Sequence, residues 1–183
     1  MGLFDTVKGV EQYIKMAEGY DGAELIKILH KHLPENSTVL EIGIGPGKDM
    51  DILKKSYAVT GSDRSRVFLD KYKETHQDTD LLLLDAVTME TDRTFDCIYS
   101  NKVLHHLTKE NLKKSFQRQK EMLNQDGILF HSFWKGNKVE ETGGLLFTYY
   151  EMKDLKKIME SNFDILAMKT YAEVEKMTPS MLF

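Results

Sequence analysis

The sequence predicts an α/β protein, a three-layer α/β/α sandwich in which helices cover both faces of a mostly parallel, seven-stranded sheet. Apolar runs of strand length alternate with longer amphipathic stretches, which is the pattern of βαβ units. Three of the early apolar runs end near a carboxylate, as expected where parallel strands open onto a common edge. The chain of 183 residues fits one domain with a sizeable core.

The individual elements follow from hydrophobic spacing and from turn residues. Gly19 and Gly22 separate the first two helices, and Pro34 follows the second. The predicted helices are 4–17, 25–33, 50–53, 67–72, 108–123 and 151–161. The predicted strands are 38–43, 57–63, 81–85, 95–101, 127–134, 163–171 and 180–183, the last of them short or truncated. Residues 135–147 show no clear period, so we expect an irregular insertion there.

Composition excludes several classes of protein. Hydrophobic residues make up 41% and charged residues 30% of the chain, which indicates a globular rather than a disordered protein. The net charge of -4 argues against a nucleic acid as the main partner. Cys97 is the single cysteine, so no internal disulfide is possible, and we expect a reducing, cytoplasmic location. No apolar run approaches the about 18 residues that a membrane span needs, so no membrane partner is expected.

The ends of the first three strands predict a ligand site. Glu41 lies two residues before a glycine turn, and the second and third strands stop at Asp63 and Asp85. Because the carboxyl ends of parallel strands share one edge of the sheet, these three carboxylates should lie close together. A purely structural protein gains nothing from gathering like charges on one rim, so a ligand is the better explanation.

The glycine turn, in the stretch VLEIGIGPGKDM, does not fit a phosphate-binding loop. Gly43, Gly45 and Gly47 alternate, which allows a tight turn and close approach of a ligand to the backbone. A mononucleotide P-loop needs a glycine five residues before the last one and a hydroxyl after the lysine. Ile42 and Asp49 occupy those two positions.

A dinucleotide fingerprint is also disfavoured. It needs a third glycine where this chain has Lys48, and Pro46 removes a backbone N–H that would donate to a pyrophosphate. S-adenosylmethionine carries no phosphate, and it needs a carboxylate for its ribose diol and acceptors for its cationic end. This cofactor therefore fits the turn best.

Two motifs carry a family resemblance. The segment 41–47 resembles the first motif, E/DxGxGxG, of the class I (Rossmann-like) S-adenosylmethionine-dependent methyltransferases. FDCIYSNKVLHHL, over 95–107, looks like that family's fourth-strand motif, often FDxVxxxxxLHHL. The resemblance implies a Rossmann-like fold whose antiparallel last strand lies between the fifth and sixth, S-adenosylmethionine as cofactor and S-adenosylhomocysteine as product.

The resemblance also implies roles for residues. Glu41 would lie near the methionine end, Asp63 would accept from the ribose hydroxyls, and Asp85 would accept from the adenine amine. Arg64 stands where many relatives carry an apolar residue that packs on the adenine, and a guanidinium can stack there too. The full set of implied cofactor-binding residues is Glu41, Gly43, Gly45, Gly47, Asp63, Arg64, Asp85, Ala86, Ser100 and Asn101.

Candidates for the acceptor side are fewer. His106 follows the fourth strand and is the candidate general base, and the alternative is that it packs or faces solvent. His131, within the fifth strand, is expected to be a hydrogen-bonded histidine of the sheet. Aromatic residues near the predicted rim could shape a pocket or belong to the core. The candidate pocket residues are Tyr13, Tyr20, His105, Trp134 and Tyr149. No metal site is expected.

The predicted organisation is a single methyltransferase domain over 1–183. We expect a helical lid at 1–34, a cofactor-binding core at 38–134, and an acceptor-side region at 135–183. The predicted function is methyl transfer to oxygen or nitrogen of a small molecule. Asn101–Leu104 reads NKVL, not the NPPY-like stretch of the amino-methyltransferases of nucleic acids and glutamine. An inactive regulatory subunit and an RNA or protein methyltransferase are the alternatives, and the oligomeric state is left open.

Overall fold

The computed structural model describes residues 2–171 and 180–182, and it contains a mixed central sheet. The strands are β1 (Thr38–Ile42), β2 (Ala58–Asp63), β3 (Leu81–Leu83), β4 (Phe95–Asn101), β5 (Leu123–Trp134), β6 (Val139–Thr142), β7 (Leu145–Thr148), β8 (Lys169–Tyr171) and β9 (Ser180–Leu182). The helices are α1 (Val7–Met16), α2 (Ala23–Leu29), α3 (Lys48–Leu53), α4 (Arg66–Thr75), α5 (Lys109–Met122) and α6 (Met152–Met159), with 3-10 turns at Leu3–Asp5 and Leu104–His106.

The central sheet has seven strands in the order β3-β2-β1-β4-β5-β9-β8. All neighbours pair in parallel except at β9, which is antiparallel to both β5 and β8. The chain builds outward from β1 in both directions, so the strand order reverses between β1 and β4. Ligands of open α/β sheets bind at such a switch point. The predicted fold class is confirmed.

Alternation along β1 and β4 creates two hydrophobic layers. Leu40 and Ile98 point to a core that includes residues of α5 and α6. Val39 and Cys97, one residue earlier on the same strands, face a core that includes residues of α2. Side chains of successive strand residues lie on opposite faces, so a strand buried on both sides reads as a continuous apolar run. This explains why β1 and β4 were recognisable in the sequence.

Two predicted elements were wrong. The irregular insertion is a hairpin, β6 and β7, joined at Gly143 and Gly144, whose φ angles are 61° and 76°. A two-residue turn of this kind requires positive φ, which glycine supplies. The predicted strand 163–171 is strand only over Lys169–Tyr171. Phe163 and Ile165 pack instead as single side chains against the core that contains Leu40.

The antiparallel strand at the end of the chain lies where the resemblance implied. Ser132 pairs with Leu182 and Trp134 with Ser180, and β8 pairs with the other edge of β9. The described part of β9 is three residues long. The predicted end of this strand at Phe183 lies outside the described residues.

Candidate functional site

A cleft opens at the carboxyl ends of β1, β2 and β4, with a volume of about 240 Å³. The N-terminal segment 2–22 forms one wall and the glycine turn 43–47 lies at its base. The hairpin contributes Leu145 to the lining. The side chains and glycines that line the cleft include Phe4, Tyr13, Tyr20, Asp21, Glu41, Gly43, Gly45, Lys48, Asp49, Asp63, Arg64, Phe68, Asp85, Ala86, Asn101, Lys102 and His106.

The three glycines of the turn have different roles. All have positive φ, 73° at Gly43, 48° at Gly45 and 82° at Gly47. A Cβ on Gly43 would lie 2.6 Å from Val103 Cγ2, and one on Gly47 would lie 2.2 Å from the Tyr72 ring. The same atom on Gly45 would meet nothing closer than 3.9 Å. Gly43 and Gly47 are therefore required by packing, whereas Gly45 leaves open space in the cleft.

Asp63 fixes the glycine turn. Its Oδ2 accepts from the Gly45 N–H at 3.0 Å, and its Oδ1 accepts from the Ser65 N–H at 2.8 Å. Burial raises the pKa of the Asp63 carboxyl, and the two backbone hydrogen bonds and the Arg64 charge partly offset that rise. The carboxylate thus ties β2 to the loop that follows β1, and it still lines the cleft.

Glu41 is the least compensated carboxylate of the site. Its side chain is 3% exposed, and Oε2 has no hydrogen-bond partner among the described residues. Burial, followed by the negative charges of Asp49, Asp63 and Asp51, raises the pKa of Glu41 well above its usual range. A buried acceptor without a partner is costly unless a ligand supplies the donor or the positive charge. The ammonium and sulfonium groups of S-adenosylmethionine fit this demand.

The outer part of the cleft is formed after β2 and β3. Asp85 Oδ1 accepts from the Val87 N–H at 2.8 Å, and the residue is exposed. Ala86 and Arg64 also line the cleft. This leaves Asp85 with a second carboxylate oxygen for an exocyclic amine. Asp85, Ala86 and Arg64, which were predicted to contact adenine, therefore lie together at one end of the cleft.

The end of β4 is divided between cleft and core. Asn101 lines the cleft, and its Nδ2 donates to Asp49 Oδ2 at 3.0 Å. Ser100 is fully buried, and its hydroxyl lies 2.8 Å from His131 Nδ1. The His131 Nε2–H donates to Gln119 Oε1 at 2.7 Å, since the amide oxygen can only accept. His131 is therefore a hydrogen-bonded histidine of the sheet, and any contact of Ser100 with a cofactor would use its backbone.

His106 lines the cleft with a defined tautomer. Its Nδ1 lies 2.7 Å from the carbonyl oxygen of Leu146, so Nδ1 carries the proton. Burial lowers the pKa of His106, and the nearby Arg64 charge lowers it further, while the Leu146 carbonyl raises it. The neutral ring therefore has its basic lone pair on Nε2. This is the protonation state that a general base needs.

Three of the predicted pocket residues lie outside the described cleft lining. His105 is 2% exposed and lies against both Trp134 and Phe147, with ring centroids 5.1 and 5.6 Å away, and these two rings also contact each other at 5.3 Å. Tyr149 lies 5.3 Å from Trp134 and donates to Glu140. We call His105, His106, Trp134, Phe147 and Tyr149 the aromatic stack. Only His106 of this stack belongs to the described lining of the cleft.

Tyr13 and Tyr20 do line the cleft, as predicted. Tyr13 packs edge-on against Phe4 and Phe68, at 5.1 and 5.8 Å. Phe4, Phe68 and Asp49 were not among the predicted site residues although they line the cleft. Phe4 and Phe68 appeared in the sequence as ordinary apolar positions of helices. They line the cleft because the N-terminal segment packs over α4, a tertiary contact that the local sequence does not show.

The charges around the cleft are mixed. Acids outnumber bases among the described residues that line it: Asp21, Glu41, Asp49, Asp63 and Asp85 face Lys48, Arg64 and Lys102. Within 2–171 and 180–182, no group of three or more His, Cys, Asp or Glu side chains could hold a metal ion. None of the helices in these ranges is long and apolar enough to cross a membrane.

Comparison with known proteins finds a similar family for the middle of the chain. A family model described as a methyltransferase domain matches residues 39–127, which span the strands that carry Glu41, Asp63 and Asp85. A comparison with curated protein sequences finds no match. The fold is shared with many solved structures.

Three of them illustrate the likeness. An S-adenosylmethionine-dependent methyltransferase from Clostridium acetobutylicum ATCC 824 has a TM-score of 0.76 at 15% identity, covering 96% of both chains. Burkholderia thailandensis 1,6-didemethyltoxoflavin-N1-methyltransferase has a TM-score of 0.78 at 15% identity, covering 94% of this chain and 80% of its own. The N-methyltransferase NodS from Bradyrhizobium japonicum WM9, solved with S-adenosylhomocysteine, has a TM-score of 0.76 at 14% identity, covering 97% and 96%. At this identity the likeness shows the fold.

Proposed function

We propose that the chain is a class I S-adenosylmethionine-dependent methyltransferase and that it methylates an oxygen or nitrogen atom of a small molecule. One observation carries the proposal: a buried carboxylate that lacks a partner in the described chain, Glu41, and a neutral histidine, His106, line the same cleft. The first suits a cationic cofactor, and the second suits removal of a proton from an acceptor.

The residues of the rim would hold the cofactor. Glu41 would face its cationic methionine end, Asp63 its ribose hydroxyls, and Asp85 with the Ala86 N–H its adenine. Gly45 leaves room for close approach to the backbone. When bound, S-adenosylmethionine supplies an electrophilic methyl group. The protein's part is to orient the acceptor and to take its proton.

His106 is the proposed base. The acceptor's O–H or N–H proton would pass to Nε2 while Nδ1 keeps its proton on the Leu146 carbonyl. Because the pKa of His106 is lowered, the ring is already neutral near pH 7 and needs no prior deprotonation. Positioned general bases contribute typically 10²- to 10⁴-fold to a rate.

A small-molecule acceptor is supported by the mixed charge of the cleft. An RNA-methylating enzyme would favour a continuous basic rim, and acids predominate among the described lining residues. Relatives of the same fold are named as N-methyltransferases, one of them acting on 1,6-didemethyltoxoflavin. Small amines are therefore the first acceptors to screen, followed by phenols and alcohols. Cys97, a buried free thiol, supports the proposed cytoplasmic location.

A catalytically inactive subunit is the main alternative. It would be favoured if Phe133 or Trp134 filled the acceptor side of the cleft. Phe133 is fully buried in the core, and Trp134 lies in the aromatic stack. Neither belongs to the described lining, which supports the active enzyme over the inactive subunit.

The test is a His106→Asn variant with an acceptor found by the screen. We expect S-adenosylhomocysteine affinity within about twofold of wild type and a turnover lowered about 100-fold or more. Tyr149→Phe, altered on the stack but away from the cleft lining, is the control and should keep its turnover. An unaltered turnover of His106→Asn would dismiss the base. If the cofactor binds but no acceptor class is methylated, the result would favour the catalytically inactive subunit.

A further inference from the structure

Asp49 is a buried carboxylate that the proposed function does not use. It lies in the first turn of α3, is 8% exposed, and accepts from three donors. Oδ1 accepts from the Gly22 N–H at 2.5 Å. Oδ2 accepts from the Tyr99 hydroxyl at 2.7 Å and from the Asn101 amide at 3.0 Å. One side chain therefore joins the N-terminal segment, the helix after the glycine turn and the end of β4.

The contact with Asp49 requires a residue without a side chain at position 22. Its φ of -92° is open to any residue, so backbone conformation does not demand glycine. A Cβ at this position would lie 2.4 Å from Asp49 Oδ2 and 2.5 Å from the Tyr99 hydroxyl. These distances are shorter than any ordinary contact. Glycine at 22 is thus required by the approach of the backbone to the carboxylate.

The contact lies at the point where the N-terminal segment leaves the cleft. Tyr20 and Asp21, just before Gly22, line the cleft, as do Phe4 and Tyr13 earlier in the segment. At the other end of the segment, the Ser65 hydroxyl donates to the Phe4 carbonyl at 2.5 Å. The Lys71–Glu11 ion pair, at 3.3 Å, is partly exposed and contributes little.

Asp49 also sets the position of Asn101. The Asn101 Oδ1 accepts from the Ser132 hydroxyl at 2.6 Å, and the same hydroxyl accepts from the Lys102 N–H at 3.0 Å. The Asn101 amide is therefore fixed at both ends, by Asp49 on α3 and by Ser132 on β5. Losing Asp49 frees the end of Asn101 that borders the cleft.

We propose that Asp49 is a positioning residue that holds the N-terminal segment, through Gly22, and Asn101 in place around the cofactor cleft. The Gly22–Asp49 hydrogen bond holds the end of the segment that leaves the cleft, while Ser65 and Phe68 contact its beginning. This rests on the proposed function as far as ligand affinity is concerned, whereas the attachment of the segment is a property of the ligand-free protein.

The experiment approaches the contact from both sides. Asp49→Ala removes the acceptor, Gly22→Ala introduces the clashing Cβ, and the double variant combines them. Glu11→Ala, which removes the exposed ion pair of the same segment, is the matched control. Hydrogen exchange of the α1 amides is measured without ligand, and S-adenosylhomocysteine affinity by calorimetry.

We expect both single variants to raise α1 exchange and to weaken S-adenosylhomocysteine binding about tenfold or more, as for loss of a hydrogen bond to a charged group. The double variant should show no greater α1 exchange and no weaker affinity than the more affected single variant, because the two substitutions break the same contact. Glu11→Ala should behave as wild type. Asp49→Asn, which keeps an oxygen for Gly22, should recover part of the exchange protection.

Additive losses in the double variant, or unchanged α1 exchange in Asp49→Ala, would overturn the proposal. Variants that only lower the melting temperature while α1 exchange and affinity of the folded protein stay at wild-type values would also overturn it. Wild-type protein that fails to bind S-adenosylhomocysteine would instead contradict the proposed function. In that case α1 exchange still tests the attachment.

Discussion

The two sides of the cleft differ in how their polar groups are compensated. On the cofactor side, Glu41, Asp63 and Asp85 lie at or near the ends of neighbouring strands, and Glu41 keeps a buried oxygen without a partner in the described chain. On the hairpin side, the aromatic stack buries its own rings, and Tyr149 donates to Glu140. The cofactor side is built to receive a ligand. The hairpin side mainly packs, and it presents His106 to the cleft.

The buried polar groups without partners on the two sides differ in whether they need a charged ligand. His105 is as buried as Glu41, and neither of its nitrogens has a partner within the described residues. Burial lowers the pKa of His105 well below its usual range, and the electrostatic interactions with His106 and Lys102 lower it further. A neutral imidazole can be buried beside aromatic rings, whereas a buried carboxylate without a counter-charge must stay protonated or bind a cation. Of these two residues, Glu41 is therefore the one that calls for a charged ligand.

The largest change in the free energy of unfolding is expected at Gly47, which is required by packing, and a smaller one at Gly45, which borders open space in the cleft. Gly47→Ala places a methyl group against the Tyr72 ring at positive φ and should lower the free energy of unfolding by about 2 to 5 kcal/mol. Gly45→Ala meets no clash and should cost only about 1 to 2 kcal/mol. Urea unfolding of both variants measures the difference. Equal losses would remove the distinction between the two glycines.

The second prediction concerns a substitution on the cofactor side that should weaken ligand binding. Asp63→Ala removes an acceptor of two backbone N–H groups and should weaken S-adenosylhomocysteine binding roughly 10- to 100-fold. Asp80→Ala is the control, because Asp80 pairs with Arg93 and is not among the described cleft residues. Calorimetric titration measures both. An Asp63→Ala affinity equal to that of Asp80→Ala would remove Asp63 from the site.

The third prediction uses the raised pKa of Glu41. A cationic ligand lowers this pKa, so binding should release a proton, and affinity should rise with pH by up to about tenfold per unit. Titrations at pH 6.0 and 7.0, in buffers of different ionisation enthalpy, measure the released proton. Glu41→Gln carries no ionisable group and should lose this dependence. Proton uptake on binding by the wild type would contradict the account.

The smallest effect is expected on the hairpin side. Tyr149→Phe removes a hydrogen bond to Glu140 and should change the free energy of unfolding by about 1 kcal/mol or less. Affinity for S-adenosylhomocysteine should stay within about twofold, because Tyr149 does not belong to the described lining. A tenfold loss of affinity would show that the two sides are not separate.

The same contrast explains what the sequence could predict. Glu41, Asp63 and Asp85 were found because each lies at or within two residues of the end of its strand, and a parallel sheet brings strand ends together. Trp134 and Tyr149 were expected in the pocket because they are aromatic and near the rim. Their actual place depends on tertiary contacts, such as that of Trp134 with His105, which lies on a different element of the chain.

Asp49 was missed for a similar reason. In the sequence it is one acid after a glycine turn, and its donors are 27 to 52 residues away along the chain. Nothing local predicts that Gly22, Tyr99 and Asn101 meet on one carboxylate. The hairpin could have been recognised, since Gly143 and Gly144 form a two-residue turn signal.

We expect the cleft at the ends of β1, β2 and β4 to bind S-adenosylmethionine. Calorimetric titration of the purified chain with S-adenosylmethionine and S-adenosylhomocysteine, with NADH as the control, tests it most directly. The account predicts saturable binding of both sulfur nucleosides and none of NADH. Absence of binding by both nucleosides, or equal binding of NADH, would contradict it.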